Sequence, residues 1–162
     1  MIPAHAKMKV GFINPFVDGA TTILEREIGI TFERGGLDVL RIPHTTREVT
    51  IMLGVGGDFV NGIVMYNMDR ATAIEIASRM VGEPFPEFTD LAQSAVAELG
   101  NMITGLAATR LAEAGFPSMI TPPALVLGAG CTISTLDVLR LVVPIESSLG
   151  TIEIQVGLTA RD

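Results

Sequence analysis

Apolar residues recur at helical spacing in three stretches of the chain, and each stretch has recognisable end signals. The first helix is predicted to begin with Asn14 as N-cap and Pro15 at the first helical position, and to stop at Gly29. The second is predicted to follow Asp69 and to end at Gly82. Both helices carry an apolar stripe, which indicates that each packs against a core.

The third and longest predicted helix runs from Leu91 to about Ala114 and ends before Gly115. Asp90, with Gln93 three residues later, resembles a capping box in which Asp replaces Ser or Thr. The spacing predicts an apolar side formed by Leu91, Ala95, Leu99, Met102, Ile103 and Leu106.

Alternating or continuous apolar runs of strand length occupy much of the remaining chain. Strands are predicted at about 37–42, 49–55, 60–66, 124–127, 132–135, 138–144 and 151–158. Each half of the chain runs helix, irregular segment and strand hairpin, which indicates an internal duplication of an α-β-β unit. The predicted fold is α+β, with helices on one face of a mainly antiparallel sheet. We expect a single domain over residues 1–162, with residues 1–8 as an N-terminal tail.

Charge and hydropathy narrow the function classes. The formal net charge is −7 and Lys and Arg are not clustered, so the chain would repel a phosphate backbone and nucleic-acid binding is not expected. Hydrophobic residues make up 48% of the sequence. No apolar run reaches the roughly 18 to 20 residues of a membrane span. We therefore assign the apolar excess to a core and to a subunit interface.

The cysteine and histidine content indicates the cellular compartment and whether the chain can bind a structural metal. The single cysteine, Cys131, excludes an internal disulfide, fits a reducing cytoplasm, and is expected to be a small buried residue. His5 and His44 are far apart and no cysteine pair accompanies them, which argues against structural zinc. The first residues lack the apolar segment of a secretory signal. We expect a cytoplasmic protein with no metal or cofactor of its own.

The chemistry of the chain is concentrated on one side of the long predicted helix. Ser94, Glu98, Asn101, Gly105 and Ala108 are spaced four, three, four and three residues apart, so they form one stripe. A Glu and an Asn one turn apart are also common on a solvated face.

Two glycines interrupt the same helix. Gly100 and Gly105 each cost about 1 kcal/mol in a helix interior, so something must compensate. Either a partner backbone approaches the helix closely, or the glycines let it pack against the sheet. The spacing alone leaves both readings open.

The stretch 94–105, followed by Pro122 and Pro123, resembles the signature of the CheC/CheX/FliY chemotaxis phosphatases. That signature is an Asp or Ser, then a Glu, two residues and an Asn, and a Pro further along. The two prolines follow Asn101 by 21 and 22 positions, so either can fill the last place. The likeness extends over about residues 8–158.

CheC-type members of this family carry a second Glu-x-x-Asn on the first helix. Here Glu25 and Glu27 are followed three residues later by Ile28 and Ile30. The resemblance therefore implies one active site per chain, as in CheX.

The resemblance also implies a function, a set of roles and an assembly. The protein would hydrolyse the aspartyl phosphate of a phosphorylated CheY-like receiver, which supplies Mg²⁺ and a lysine. Asn101 would orient the attacking water, and Glu98 would pair with that lysine. Ser94, Gly105 and Pro123 would shape the docking surface. CheX relatives dimerise by pairing sheet edges, so a homodimer is expected.

Two other function classes stay open at this point. One is a non-catalytic binding or output module of a two-component or flagellar-switch system, against which the intact Glu-x-x-Asn argues. The other is a small-molecule enzyme with a pocket beside Glu98. No His, Lys or Cys accompanies that carboxylate in the motif to complete an acid–base set.

Overall fold

The computed structural model describes residues 6–7, 9–136 and 138–161. Its helices are a 3₁₀ turn at Val10–Phe12 followed by α1 (Ile13–Ile28), α2 (Arg70–Val81) and α3 (Asp90–Glu113). Its strands are β1 (Ala6–Lys7), β2 (Glu33–Arg34), β3 (Asp38–Leu40), β4 (His44–Thr45), β5 (Val49–Gly56), β6 (Val60–Met68), β7 (Met119–Ile120), β8 (Ala124–Leu127), β9 (Thr132–Ile133), β10 (Arg140–Ser147) and β11 (Gly150–Arg161).

The two long hairpins lie side by side in one antiparallel sheet. Its order is β2-β10-β11-β6-β5-β7, so β6 of the first hairpin pairs with β11 of the second at the centre. Along the same edges, β3 also pairs with β10 and β8 also pairs with β5. Helices α1 and α3, which precede the hairpins in each half, contact each other. This arrangement confirms the predicted α+β class and agrees with the predicted duplication.

The apolar core lies between the helices and one face of the sheet. Ile51, Tyr66 and Ile154 are cross-strand neighbours on β5, β6 and β11, and all three are buried on this face. Their neighbours along each strand point to the opposite face. The helix-facing row at the centre of the sheet therefore provides the floor on which α3 lies.

The opposite face of the sheet carries a buried polar network. The ribbon formed by β4 and β9 brings His44 to this face, where its ring nitrogens contact Asn67 Oδ1 at 2.7 Å and Gln155 Nε2 at 2.9 Å. Arg140 Nε donates to Gln155 Oε1 at 2.8 Å. The ribbon is thus attached to the sheet by directional hydrogen bonds as well as by packing.

The predicted start of the first helix is wrong by two residues. The structure places Phe12 at the N-cap, because the 3₁₀ turn runs directly into α1. The side chain of Asn14 instead accepts a hydrogen bond from Arg34 Nη1 at 2.9 Å, between the helix and β2. The predicted ends are confirmed, since Gly29 and Gly82 adopt left-handed φ values of 68° and 84°.

The predicted cap of the long helix is wrong by one residue. Thr89 is the N-cap, and its Oγ1 accepts from the backbone N–H of Ala92 at 3.3 Å. Gln93 does not close a capping box; its Nε2 donates to the carbonyl oxygen of Phe88 at 3.0 Å. Thr and Asp are both good N-cap residues, so the sequence Thr89-Asp90 left two adjacent starts that composition could not separate.

Several strand predictions are confirmed and others are shifted. The 124–127 strand is found at the predicted bounds, and the last strand extends further, to Arg161. The strand predicted over 138–144 begins at Arg140 and runs to Ser147, while residue 137 lies outside the described part of the chain. Strands β2 and β7 have two residues each, too few for an alternating pattern to reveal them.

The N-terminal segment and the cysteine also differ from expectation. Strand β1, within the predicted tail, pairs with the end of β11, whereas His5 lies outside the described residues. Cys131 is exposed, so the expectation of a buried thiol is wrong. It sits in the turn before β9, where its backbone N–H donates to Thr46 Oγ1 at 2.9 Å. Within the described residues, no helix has both the length and the apolar content that crossing a membrane requires.

Candidate active site

Helix α3 is fixed on its inner side at Gly100. A Cβ built on this glycine would lie 2.6 Å from Ile51 Cγ2, so only glycine lets the helix approach β5 this closely. One turn later, Thr104 Oγ1 lies 2.7 Å from the Gly100 carbonyl oxygen and 2.8 Å from the hydroxyl of Tyr66 on β6. The inner side of the helix thus combines one steric contact with one chain of hydrogen bonds.

The outer side of α3 carries the predicted stripe. Ser94 and Glu98 are exposed, and Asn101 and Gly105 are half-buried. Because residues three apart on a helix are neighbours, the carboxylate of Glu98 and the amide of Asn101 lie on adjoining turns. A Cβ built on Gly105 would meet no atom within 4 Å, so the surface beside the amide is open. The structure therefore places all four helix residues on one accessible ridge.

The apolar side predicted for this helix is rotated from the buried side that is observed. Leu91 was placed in the core, but its side chain is 53% exposed, and Met102 and Leu106 are only half-buried. The buried side is instead formed by Ala92, Val96, Leu99, Gly100, Ile103, Thr104, Ala107 and Leu111. The reason is that α3 packs against both the sheet and α1, so Gly100 and Thr104, which a hydrophobicity pattern ignores, lie at the centre of the contact.

The proline segment runs along the edge of the sheet beside α3. Pro122 and Pro123 connect β7 to β8, and both strands contact α3. Thr121 fixes the segment to β5, because its N–H donates to the Gly54 carbonyl oxygen at 3.0 Å and its Oγ1 accepts from the Gly54 N–H at 2.7 Å. Pro122 is exposed and Pro123 is half-buried. The structure thus brings the prolines to the same side of the molecule as the helix.

The sequence pattern misassigned one residue near the stripe, Leu91, and missed another, Thr104. Leu91 lies seven residues before Glu98, which is two turns along the same side of the helix, and it is a large exposed apolar group. Thr104 is completely buried although its type is usually exposed. The only sequence signal for Thr104 was that a threonine occupies a position on the apolar side of the helix.

The arrangement limits the chemistry that the site can perform. Glu98 can pair with a cation, and the Asn101 amide can both donate and accept hydrogen bonds. Both lie on the outer surface of the helix, so the site is open to a reacting group that approaches from outside. Within the described residues, no group of three or more His, Cys, Asp or Glu side chains is placed to hold a metal ion.

Comparison with known proteins decides the family. The family model described as "Chemotaxis phosphatase CheX" matches residues 49–146, more than half of the chain. The chain belongs to the CheX family of chemotaxis phosphatases. It is therefore a phosphatase, and the resemblance described from the 94–105 stretch is confirmed.

Individual relatives agree with this family assignment. The CheY-P phosphatase CheX of Thermotoga maritima is 30% identical over 136 residues, which cover 82% of this chain and 85% of that protein. A CheX–CheY–BeF₃–Mg²⁺ complex from Borrelia burgdorferi contains a chain that is 30% identical, with a TM-score of 0.77 and coverage of 95% of this chain and 100% of that one. A CheC-like superfamily protein from Shewanella sp. PV-4 is 25% identical, with a TM-score of 0.83 and coverage of 96% and 100%.

Proposed function

We propose that this CheX family member hydrolyses the aspartyl phosphate of a CheY-like receiver, with Glu98 and Asn101 as the active residues. The observation that carries the proposal is the exposed ridge of α3, which presents a carboxylate and a carboxamide one turn apart. The T. maritima relative is a CheY-P phosphatase, and the B. burgdorferi relative is seen in a complex with CheY. Both relatives match most of this chain, so the same substrate class is expected here.

Asn101 would supply the catalytic amide. Phosphoryl transfer depends mainly on positioning and electrostatics, because the attacking oxygen must lie in line with the leaving group. A neutral amide can accept a hydrogen bond from the attacking water without placing negative charge beside the phosphoryl group. The half-buried position of Asn101 restricts its side chain, while the open surface beside Gly105 leaves room for the receiver.

Glu98 would fix the register of the complex by pairing with the receiver's lysine. Its carboxylate is exposed, and no described ion pair within the chain engages it. An intermolecular ion pair that loses water on docking discriminates strongly between correct and incorrect registers. Glu98 therefore contributes to binding and to the alignment of Asn101 over the phosphoryl group.

The remaining stripe residues would form the docking surface. Ser94 and Gly105 add little bulk beside Glu98 and Asn101, so a receiver loop can approach the helix. Pro123 would present a rigid wall at the sheet edge, held in place by Thr121. The exposed Leu91 gives this surface an apolar contact, which is typical of the centre of a protein interface.

The chain needs no metal of its own for this reaction, because Mg²⁺ would be held by the receiver. The B. burgdorferi complex contains BeF₃ and Mg²⁺ together with CheY. Magnesium would neutralise charge on the phosphoryl oxygens, and the residues of α3 would act on the water and the receiver lysine.

The direct test measures phosphate release from a phosphorylated, Mg²⁺-loaded CheY-type receiver. The wild type should accelerate release, and Asn101→Ala should abolish the acceleration while receiver binding persists. Glu98→Ala should weaken both binding and rate. Glu113→Ala is the matched control, because this exposed glutamate lies on the same helix 15 residues further on, about 22 Å along its axis.

Melting temperatures separate a chemical effect from a folding effect. Glu98 and Glu113 are exposed and Asn101 is half-buried on the outer side of the helix, and substitutions outside the core usually change stability by about 0.5 kcal/mol, so all three variants should melt near the wild type. Wild-type turnover by Asn101→Ala would contradict the assignment of the catalytic amide. Tight receiver binding without acceleration by the wild type would instead identify a non-catalytic binding module.

A further inference from the structure

We propose that Tyr66 and Thr104 are positioning residues for Asn101, through a buried chain of hydroxyl hydrogen bonds that ends on the peptide group of Asn101 itself. The inference rests on the proposed function, because it names residues that would set the geometry of the proposed catalytic amide. The carbonyl of Gly100, on which the chain ends, belongs to the peptide unit that joins Gly100 to Asn101.

The direction of the chain follows from what each group can donate. A carbonyl oxygen only accepts, so the Thr104 hydroxyl donates its one hydrogen to Gly100 over 2.7 Å. The Thr104 oxygen is then free to accept, and the Tyr66 hydroxyl donates to it over 2.8 Å. Tyr66 and Thr104 are fully buried, so neither hydroxyl has water as an alternative partner. One arrangement of hydrogens satisfies the whole chain.

This chain and the Gly100 contact together constrain how α3 can rotate. Ile51 and Tyr66 face each other across β5 and β6, so the two contacts on α3 come from neighbouring positions of the sheet. Ile51 limits how close the helix can come, and Tyr66 limits its rotation through a directional bond. On its other side, α1 is close as well, since a Cβ built on Gly19 would lie 3.3 Å from the carbonyl oxygen of Ile103.

Small rotations of this helix matter for chemistry on its outer side. A group about 6 Å from the helix axis moves about 1 Å when the helix turns by about 10°. A displacement of about 1 Å at a reacting centre can lower the rate about 100-fold. A bond that fixes the rotation at residues 100–104 therefore acts directly on the position of the Asn101 amide.

Another threonine on the same helix shows what is special about Thr104. Thr109 Oγ1 makes the same type of bond to the carbonyl oxygen of Gly105, at 3.2 Å, but it is exposed. The bond of Thr109 is thus local to the helix, whereas the bond of Thr104 continues to the sheet. Thr104→Val and Tyr66→Phe would fill nearly the same space as the native side chains, so the two hydroxyl groups add direction rather than volume.

The experiment removes the hydroxyls one at a time and measures turnover of the phosphorylated receiver. Tyr66→Phe and Thr104→Val should each lower kcat at least about tenfold and should change KM less, because no side chain of the outer ridge is removed. The double variant should be no slower than Thr104→Val, since both changes break one chain. Thr104→Ser keeps the hydroxyl and should therefore turn over near the wild-type rate. Thr109→Val should also leave the rate unchanged.

A second readout keeps the inference separate from the proposed function. In the free protein, the backbone amide of Asn101 shares its peptide unit with the accepting carbonyl, so its ¹⁵N and ¹H shifts should change in Tyr66→Phe but not in Thr109→Val. If the wild type does not accelerate phosphate release, the proposed function fails while this shift still tests the chain. An unchanged Asn101 shift overturns the inference, and so does wild-type kcat in Tyr66→Phe or Thr104→Val at a temperature where both are folded.

Discussion

Two glycines on one helix have opposite surroundings. Gly100 is buried, and a methyl group there would collide with Ile51. Gly105, five residues later, faces open space beside Asn101. The intrinsic cost of glycine in a helix is therefore offset by sheet packing at the first position, and the free protein offers no such packing at the second.

Alanine substitution of the two glycines should change the free energy of unfolding in opposite directions. Gly100→Ala should lower the free energy of unfolding by up to about 2 kcal/mol, because an overpacking cost of about 1–3 kcal/mol outweighs the helix-propensity gain of about 1 kcal/mol. Gly105→Ala should raise it by about 0.5–1 kcal/mol, since nothing opposes the gain. Denaturant unfolding of the two variants measures both effects.

The same pair tests whether the surface at Gly105 contacts the receiver. Gly105→Ala should weaken receiver binding although it stabilises the free protein, because the added methyl group occupies the open surface beside Asn101. Unchanged affinity in a titration would remove Gly105 from the docking surface. Destabilisation by Gly105→Ala would show that the free protein already packs against this position.

His44 is the titratable residue of the buried polar network. Its ring accepts at Nδ1 from Gln155, and Arg140 fixes the orientation of that amide by donating to its oxygen. If Nδ1 of His44 were protonated, its N–H would face the N–H of Gln155 Nε2. Rotating the Gln155 amide to present its oxygen to the ring would turn Nε2 towards Arg140, which is also a donor. Burial lowers the pKa of His44 below 6.5; the hydrogen bond to Asn67 and the charge of Glu153 act in the opposite direction, while Arg140 and Arg47 lower it further.

This lowered pKa makes the stability of the fold dependent on pH. The unfolded chain binds a proton at His44 as pH falls through about 6.5, whereas the folded chain does so only at a lower pH. The contribution is present above about pH 6.5 and is lost as pH falls towards the pKa of the folded state. The slope is at most about 1.4 kcal/mol per pH unit for one group.

Unfolding measured between pH 7.5 and 5.5 isolates the effect. His44→Gln should be less stable at neutral pH but should lose less stability on acidification than the wild type. His5→Gln is measured beside it, because it removes the other histidine of the sequence and shows how much of the slope that residue contributes. Parallel curves for the wild type and His44→Gln would contradict the role assigned to His44.

At the scale of elements, the helices and long strands could be predicted and their exact ends and orientations could not. The left-handed glycines Gly29 and Gly82 stop their helices as predicted, because this conformation favours glycine strongly. The helix starts were displaced from their predicted positions, because Asn14 and Asp90 are good N-cap residues but Phe12 and Thr89 are the N-caps. Local chemistry permits several starts, and tertiary contacts such as that of Arg34 with Asn14 select one.

In the candidate site, too, local sequence predicted part of the arrangement and tertiary contacts decided the rest. The stripe of Ser94, Glu98, Asn101 and Gly105 could be predicted, because helical geometry alone places residues four and three apart on one side. The orientation of the opposite side could not, because it depends on Gly100 and Thr104. Their roles arise from contacts with Ile51 and Tyr66, which are distant in sequence and become neighbours only in the folded sheet.

At the scale of the whole molecule, the two edges of the sheet differ in chemistry. One edge is formed by β2 and β3, which carry Glu33, Arg34 and Asp38. The other includes β8, whose four residues are all uncharged and apolar, and which pairs with β5 on one side only among the described strands. Charged residues discourage edge-to-edge pairing, so the β8 edge is better suited to meet a second copy of the chain.

We therefore predict a homodimer that uses the β8 edge. Light scattering at micromolar concentration should give twice the mass of one chain. Leu127→Lys on β8 should shift the mass to that of a monomer, because the charge would lie unpaired in the interface. Val39→Lys on β3 is a closely matched control, since Val39 and Leu127 are both 46% exposed and lie on opposite edges, and it should remain dimeric. A monomeric wild type would contradict the dimer, and loss of the dimer only in Val39→Lys would move the interface to the β2–β3 edge.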